Sequence, residues 1–442
     1  MSTLQVRRQT GWRHDPRIRR LGGWLFGGLL LALMTGRVQG TNTDYTLAFR
    51  AALLRPRVLL FLVLAVAAWA LVEYGGPVRA RVREELAPVL GLRARLLEDH
   101  RARRVEILAV LVLLVAVPAF LSPFWQRVLV DQIGIFVLLA IGLNVVVGWA
   151  GLLDLGYVAF FAIGAYTAAY WTGALPVKPP IDLNPFLVLP LAVLTCLVAG
   201  LLLGAPTLRL RGDYLAIVTL GFHEIVRIVA VNSDPLTNGP RGAFGIPHFS
   251  VNLFGLQYKW TLSSLPYWYL LLAFTVLIVV AFNRLDNSRI GRAWMAIRED
   301  EVAAAASGVP TVRFKLLAFA IGASTSGFAG VIYSAKVGFI NPDNFPLLLS
   351  ILVLAYVIFG GMGSLPGVII GAALLGWLPQ FLRDYVDPQD RFMYVGALLV
   401  IMMIYRPQGV LPSRRRSREL GLAEAGVGEA DALSTPAEGK IS

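Results

Sequence analysis

Long apolar runs separated by short polar stretches dominate the chain. Runs of bilayer-crossing length recur at Val105–Leu121, Val128–Gly148, Leu155–Trp171, Phe186–Gly204 and Tyr214–Val231. Further runs follow at Pro266–Phe282, Phe314–Val337, Leu347–Gly361, Gly367–Leu382 and Phe392–Tyr405. Two shorter ones, Leu21–Met34 and Val58–Val72, precede them. Lipid offers no partner to a free backbone amide, so these runs predict helices and an all-α, polytopic membrane protein of about 10–12 spans. The chain divides accordingly into a basic start (1–20), divergent N-terminal segments with an Arg-rich connector (21–104), a membrane core (105–412) and a polar, Ala/Gly-rich tail (413–442) read as disordered.

One interruption differs from the others. Gly291–Pro310, GRAWMAIREDEVAAAASGVP, predicts a single amphipathic helix between two runs. Asn287 or Ser288 would cap its start, and Gly308 and Pro310 would end it. Trp294, Met295 and Ile297 form an apolar side, and Arg298 and Glu301 are spaced to pair. A charged helix at such a place is either a handle for a partner or a solvated loop helix.

Composition narrows the class. Hydrophobic residues make up 57% of the chain and charged residues 15%, which excludes an ordinary soluble enzyme. The net charge of +13 does not point to nucleic acid, because the basic residues cluster beside apolar runs, as membrane orientation requires. Arg7, Arg8, Arg13, Arg17, Arg19 and Arg20 precede Leu21–Met34 without a clear cleavage site, which reads as a retained anchor. With the N-terminus inside, alternation places the Arg79–Arg104 connector, Arg209–Arg211, the Asn283–Arg313 loop and the Arg406–Arg418 tail inside as well, so both termini are expected in the cytoplasm. The lone Cys196 lies in an apolar run and forms no disulfide framework.

Candidate chemistry is sparse. Polar groups inside spans are expensive and mark function or buried pairing. Asn144, Asp154, Asp213, Thr219, His223, Glu224 and Arg227 are of this kind, and the spacing of His223, Glu224 and Arg227 allows one satisfied cluster on a helix face. That cluster suits a proton relay, a seat for a zwitterion, or structural pairing between helices. Gly148 with Gly151 and Gly360 with Gly363 interrupt apolar runs at corresponding places, as broken helices on a transport pathway do and as ordinary turns also do. Small residues crowd Ala162–Ala169 and Gly322–Gly330, which favours close helix packing. No metal-ligand spacing, catalytic nucleophile with a base, cofactor motif or ATP-binding P-loop occurs.

Several blocks resemble the permeases of branched-chain amino acid ABC transporters. They are GLNVVVGWAGLLDLGYVAFFAIGAY from Gly142, LRLRGDYLAIVTLGFHEIVRI at Leu208–Ile228, GRAWMAIREDEVAAAASGV, IFGGMGSLPGVIIGA and YRPQGVLP at Tyr405–Pro412, in that order. The long first hundred residues are similar to the larger of the two permease types that pair in these importers. The resemblance implies a permease subunit in a plasma (inner) membrane. It also implies a second permease, two cytoplasmic ATPases, an extracytoplasmic solute-binding protein, and leucine, isoleucine or valine as substrate. It makes Gly291–Gly308 the coupling helix that docks on an ATPase. The residues assigned to it are Gly291, Arg292, Ala293, Trp294, Ile297, Arg298, Glu299, Asp300, Glu301, Ala304 and Gly308. Asn144, Gly148, Gly151, Asp154, Thr219, His223, Glu224, Arg227, Gly360 and Gly363 become the expected pathway set.

The chain departs from the family pattern at several points. Val302 fills the acidic slot of the Glu-Ala-Ala motif, with Glu301 one residue early. Asp154 and His223 replace small or apolar residues, and TNGPRGAFGI at Thr237–Ile246 is a changed form of an external motif. These changes leave room for urea, short amides or other amino acids as substrate. An ion-gradient transporter using Asp154 or the His223–Glu224–Arg227 cluster is the alternative mechanism.

Overall fold

The computed structural model describes residues 25, 66, 100–207, 213–253, 256–384, 386–388, 390–406 and 408–412. Apart from residues 25 and 66, the expected N-terminal anchor and the run 58–72 lie outside the described residues, as do most of the basic connector, Arg209–Arg211 and the tail from 413. The chain forms two units, Met1–Leu113 and Leu114–Ser442. Apart from residues 100–113, the features below belong to the second.

The described elements are α1 (His100–Phe120), α2 (Pro123–Trp149), α3 (Val158–Trp171), α4 (Pro185–Thr207), α5 (Asp213–Asn232) and α6 (Ser264–Asp286). They continue with α7 (Arg289–Glu299), α8 (Glu301–Ala306), α9 (Thr311–Val337), α10 (Leu347–Gly360), α11 (Leu365–Phe381) and α12 (Arg391–Tyr405). Among the described residues, 7 helices are long and apolar enough to cross a membrane: α2, α4, α5, α6, α9, α10 and α11. The apolar stretches of α1, α3 and α12 are shorter. The protein is a helical, multi-pass membrane protein. Two antiparallel strand pairs decorate the loops: β1 (Ala243–Phe244) with β4 (Phe339–Ile340), and β2 (Ser250–Leu253) with β3 (Leu256–Lys259).

α9 lies at the centre, against α2, α3 and α4. Its small residues permit this. A Cβ on Gly330 would lie 2.5 Å from the Phe161 carbonyl oxygen, and one on Gly322 would lie 2.6 Å from Val146 Cγ2. Gly164 meets the backbone of Gly327, which in turn lies against Cys196. The glycine- and alanine-rich stripes are therefore close-packing surfaces, since apolar helices in lipid are held by contact rather than by expulsion of water. Cys196 is fully buried, with its thiol donating to Phe160 O at 3.3 Å.

α2 is not a uniform α-helix. It widens into π-type turns at Leu129–Gly134 and again at Asn144–Trp149, where Ala150 N reaches back five residues to Val145 O at 3.1 Å. Such wide turns re-aim the side chains at their start, here Asn144.

Candidate functional site: a braced loop helix and a polar cleft

The loop between α6 and α9 is two helices rather than the expected one. Ser288 caps α7, its side chain accepting from the amides of Ile290 and Gly291 at 3.1 and 3.4 Å. Asp300 then takes an extended conformation (φ −154°, ψ 110°) and caps α8, accepting from Val302 N at 2.8 Å and Ala303 N at 3.1 Å. A carboxylate that can satisfy the free amides of a new helix start competes with continuation of the old helix. Arg298 and Glu301 consequently sit on different helices, and each pairs elsewhere. Glu301 pairs with Lys315 Nζ at 2.5 Å, and Arg298 Nη1 donates to Gly148 O.

The bend sorts the residues expected on a coupling helix. Gly291, Ala293, Trp294, Ile297 and Ala304 are buried against the bundle, whereas Arg292, Glu299, Asp300 and Gly308 are exposed. Arg298 and Glu301 are half-buried, and Met295 is likewise only partly covered. Trp294 is completely buried: its indole N–H donates to Phe314 O at 2.6 Å and its ring stacks on Trp149 at 6.1 Å. The outer side of α8 instead presents Val302, 62% exposed, with Ala303, Ala305 and Ala306.

The glycine pairs meet at this loop. α2 ends at Trp149 and turns at Gly151 (φ 70°); α10 ends at Gly360, and the chain reverses through Gly363 (φ 85°) into α11. Asn144 Oδ1 accepts from Gly363 N at 2.8 Å, and Trp149 Nε1 donates to Gly363 O at 3.3 Å. A Cβ on Gly148 would lie 2.6 Å from Gly363 N. Arg298 passes between the two turns: a Cβ on Gly151 would come 2.8 Å from its Cγ, and one on Gly363 3.2 Å from its Nη1. The segment after α12 closes the same junction, with Val410 N donating to Phe359 O at 2.9 Å and Leu411 N to Gly360 O at 3.0 Å. Gly148, Gly151, Gly360, Gly363 and Asn144 thus form one junction with the loop helix.

The other expected polar residues fall into two places. Asp154 and Thr219 are both completely buried beside each other: Asp154 Oδ1 accepts from Gly156 N at 2.8 Å, and Thr219 Oγ1 accepts from Leu155 N at 3.1 Å. The second oxygen of Asp154 has no hydrogen-bond partner. The expected single cluster of His223, Glu224 and Arg227 is split. Glu224 and Arg227 approach only to 3.9 Å, while Arg227 makes its shorter ion pair, 3.2 Å, with Asp343 on the loop before α10. His223 is 1% exposed and lies beside the Phe345 backbone. Its ring turns instead into a cleft that Arg227 and Tyr166 also line. The four-residue spacing put His223 and Arg227 on one side of α5, but a partner 116 residues away claimed the guanidinium.

Sequence reasoning missed Lys315, Asp343 and Tyr166. Lys315 had a signal, a cation just inside the apolar run from Phe314, of the kind that demands a partner. Asp343 and Tyr166 had none, since nothing local ties an exposed loop acid or a span tyrosine to α5. The motif Thr237–Ile246 folds as a compact clasp. Thr237 donates to Ala230 O at 2.7 Å, Asn238 in the left-handed region (φ 63°) donates to Gly242 O at 2.7 Å, and β1 pairs with β4. Among the described residues no group of acidic, His or Cys side chains could hold a metal ion.

Residues 128–405 match the family described as branched-chain amino acid transport system / permease component. The chain is 41% identical over 344 residues to the high-affinity branched-chain amino acid transport system permease protein LivM of Salmonella typhimurium, covering 73% of this chain and 78% of that protein. It is 42% identical over 336 residues to LivM of Escherichia coli strain K12, covering 72% of this chain and 77% of the relative. A shorter similarity, 33% over 124 residues, joins it to the permease protein LivH of the same strain, covering 28% of this chain and 40% of LivH. No solved structure matches. A match that spans the bundle from α2 to α12, with relatives of the same kind covered over more than three quarters of their length, makes this chain a member of the branched-chain amino acid transport system permease family.

Proposed function

We propose that this chain is the larger membrane subunit of an ATP-driven importer of leucine, isoleucine and valine. In this reading it pairs with a second permease and sits on two cytoplasmic P-loop ATPases. A solute-binding protein on the other side of the inner membrane delivers the amino acid, and both termini of this chain lie in the cytoplasm. Family membership and the names of the relatives support the substrate and the kind of assembly.

The observation that carries the coupling role is the bracing of the loop helices. α7 and α8 are bound to α9 through Trp294 and Glu301, and to the ends of α2 and α10 through the Arg298 junction. A load applied to the exposed side therefore reaches several spans together. In the proposed cycle, Arg292, Glu299, Asp300 and the apolar outer side of α8 face the ATPase groove. Closure of the ATPases on ATP displaces α7 and α8 as a rigid pair, and the braces carry that displacement into the bundle as alternating access.

The test is uptake of labelled leucine into vesicles that contain this chain, with and without the second permease, the ATPases and the binding protein. Uptake that requires the complete set and ATP is expected. Uptake by the chain alone under a proton or sodium gradient would replace this reading with an ion-driven carrier and turn attention to Asp154.

A further inference from the structure

The open side of α5 is unlike those of its neighbours. α4, α5 and α6 are about equally uncovered, with 33%, 28% and 28% of their apolar stretches buried. α4 has no acidic or basic residue, and α6 has them only in its last turn, at Arg284 and Asp286. Those two helices can face lipid. In α5, Glu224 is the eleventh residue of the 19-residue span Tyr214–Asn232, so it stands about 12 Å from the nearer end. Glu224 and Arg227 each keep 38% of the side chain outside the bundle, 3.9 Å apart. Arg227 makes its closer contact, 3.2 Å, with Asp343, which is 72% exposed. Two carboxylates thus share one guanidinium, and the patch carries one negative charge in excess. Lipid cannot solvate such a patch, and ionisable groups at this depth face protein or a water-filled cavity. One turn before Glu224, Gly221 leaves room: a Cβ there would meet nothing within 4 Å.

We propose that this side of α5, from Ile217 through Gly221 and Glu224 to Ile228, is the wall that this chain contributes to a water-filled translocation pathway, with the second permease as the opposite wall. The inference rests on the importer reading above and names the surface that meets that partner. Thr219 and His223, both buried, hold the other side of α5 to the bundle. Water between the two walls solvates Glu224 and Arg227, which lipid would not, and the partner chain closes the gap from the bilayer. The excess negative charge calls for a cation or a hydrogen-bond donor on the facing wall. Asp343, on the loop before α10, stands at one mouth of the pathway. The relatives include two kinds of permease from one strain, LivM and LivH, which favours a second kind of chain over a second copy as the facing wall. Charges of both signs along the wall suit the passage of a zwitterion.

The test uses the complete importer in vesicles, with Cys196→Ala to remove the native thiol and Gly221→Cys to place one on the proposed wall. Leu277→Cys, 63% exposed near the middle of α6, is the lipid-facing control. The probe is the charged reagent 2-(trimethylammonium)ethyl methanethiosulfonate. Gly221→Cys is expected to label at least about tenfold faster than Leu277→Cys, because the thiolate reacts and apolar surroundings suppress it. The rate at Gly221→Cys should also change severalfold when a non-hydrolysable ATP analogue is bound. In a further variant, Ile217 is replaced by the photo-cross-linker p-benzoylphenylalanine, and irradiation is expected to join this chain to the second permease. Equal rates at the two thiols in both nucleotide states would overturn the water-filled wall. A fast rate indifferent to nucleotide would mean a static crevice and overturn the pathway. An adduct with a second copy of this chain, or no adduct, would overturn the partner. ATP-driven leucine uptake by the unmodified complex is measured alongside. Its absence counts against the importer reading, whereas its presence with a lipid-like rate at Gly221→Cys removes only the wall.

Discussion

Glu301, at the start of α8, and Lys315, one turn into α9, form an ion pair of 2.5 Å in which the lysine is buried and the glutamate is 30% exposed. The pair fastens the loop helices to the central span. Val302 is left free on the outer side.

Removing one partner strands the other. Glu301→Gln is expected to lower stability by about 2 kcal/mol, less than a fully buried pair would lose because water reaches the glutamate. The companion Glu301→Gln/Lys315→Met should recover most of it. Thermal unfolding of the purified protein in detergent checks both, and an equal loss in the single and double variants would refute the pairing.

Arg298 points into the bundle, so its loss should uncouple rather than undock. With Arg298→Ala, ATPase subunits should still co-purify and hydrolyse ATP while leucine uptake per ATP falls severalfold. Val302→Asp, on the exposed side of α8, should do the reverse and reduce co-purification. Loss of the ATPases from the Arg298 variant would place that side chain on the wrong surface.

Gly363 has φ 85° and lies against Gly148 and Arg298. Alanine there should cost about 1–2 kcal/mol from backbone conformation alone, with added crowding of the Arg298 guanidinium. Gly221, inside α5 with open space around it, is the control: alanine should be neutral or slightly stabilising. Melting temperatures of the two variants should separate clearly.

Trp294 combines stacking with a hydrogen bond. Trp294→Phe removes the bond to Phe314 O and leaves a small void, and should cost about 1–3 kcal/mol, whereas Trp294→Ala empties most of a fully buried site and should cost about 3–5 kcal/mol. Intrinsic fluorescence during denaturant titration reads both, and equal costs would mean that the stacking on Trp149 contributes little.

Much of this molecule was legible in the chain. The apolar runs marked the spans because lipid leaves a backbone only its own hydrogen bonds. The Ser288 cap, the small-residue stripes and the buried thiol followed from local chemistry. The spacing predicts one loop helix where two form, because Asp300 breaks the first and caps the start of α8. The satisfied cluster on α5 failed because helical spacing states which side chains share a face, not which distant group competes for them.

The linear order of residues determined the class, the helices, the close-packing faces and the place of the amphipathic loop between α6 and α9. These depend on periodicity, on burial in lipid and on contacts within a few turns. Only the tertiary structure decided that Arg298 joins two glycine turns, that Lys315 answers Glu301, and that Asp343 holds Arg227 while His223 turns into a cleft. Such pairings join helices through the third dimension. Their partners are selected by which side chains the packed bundle brings within about 3 Å of one another, and sequence spacing carries no record of that distance.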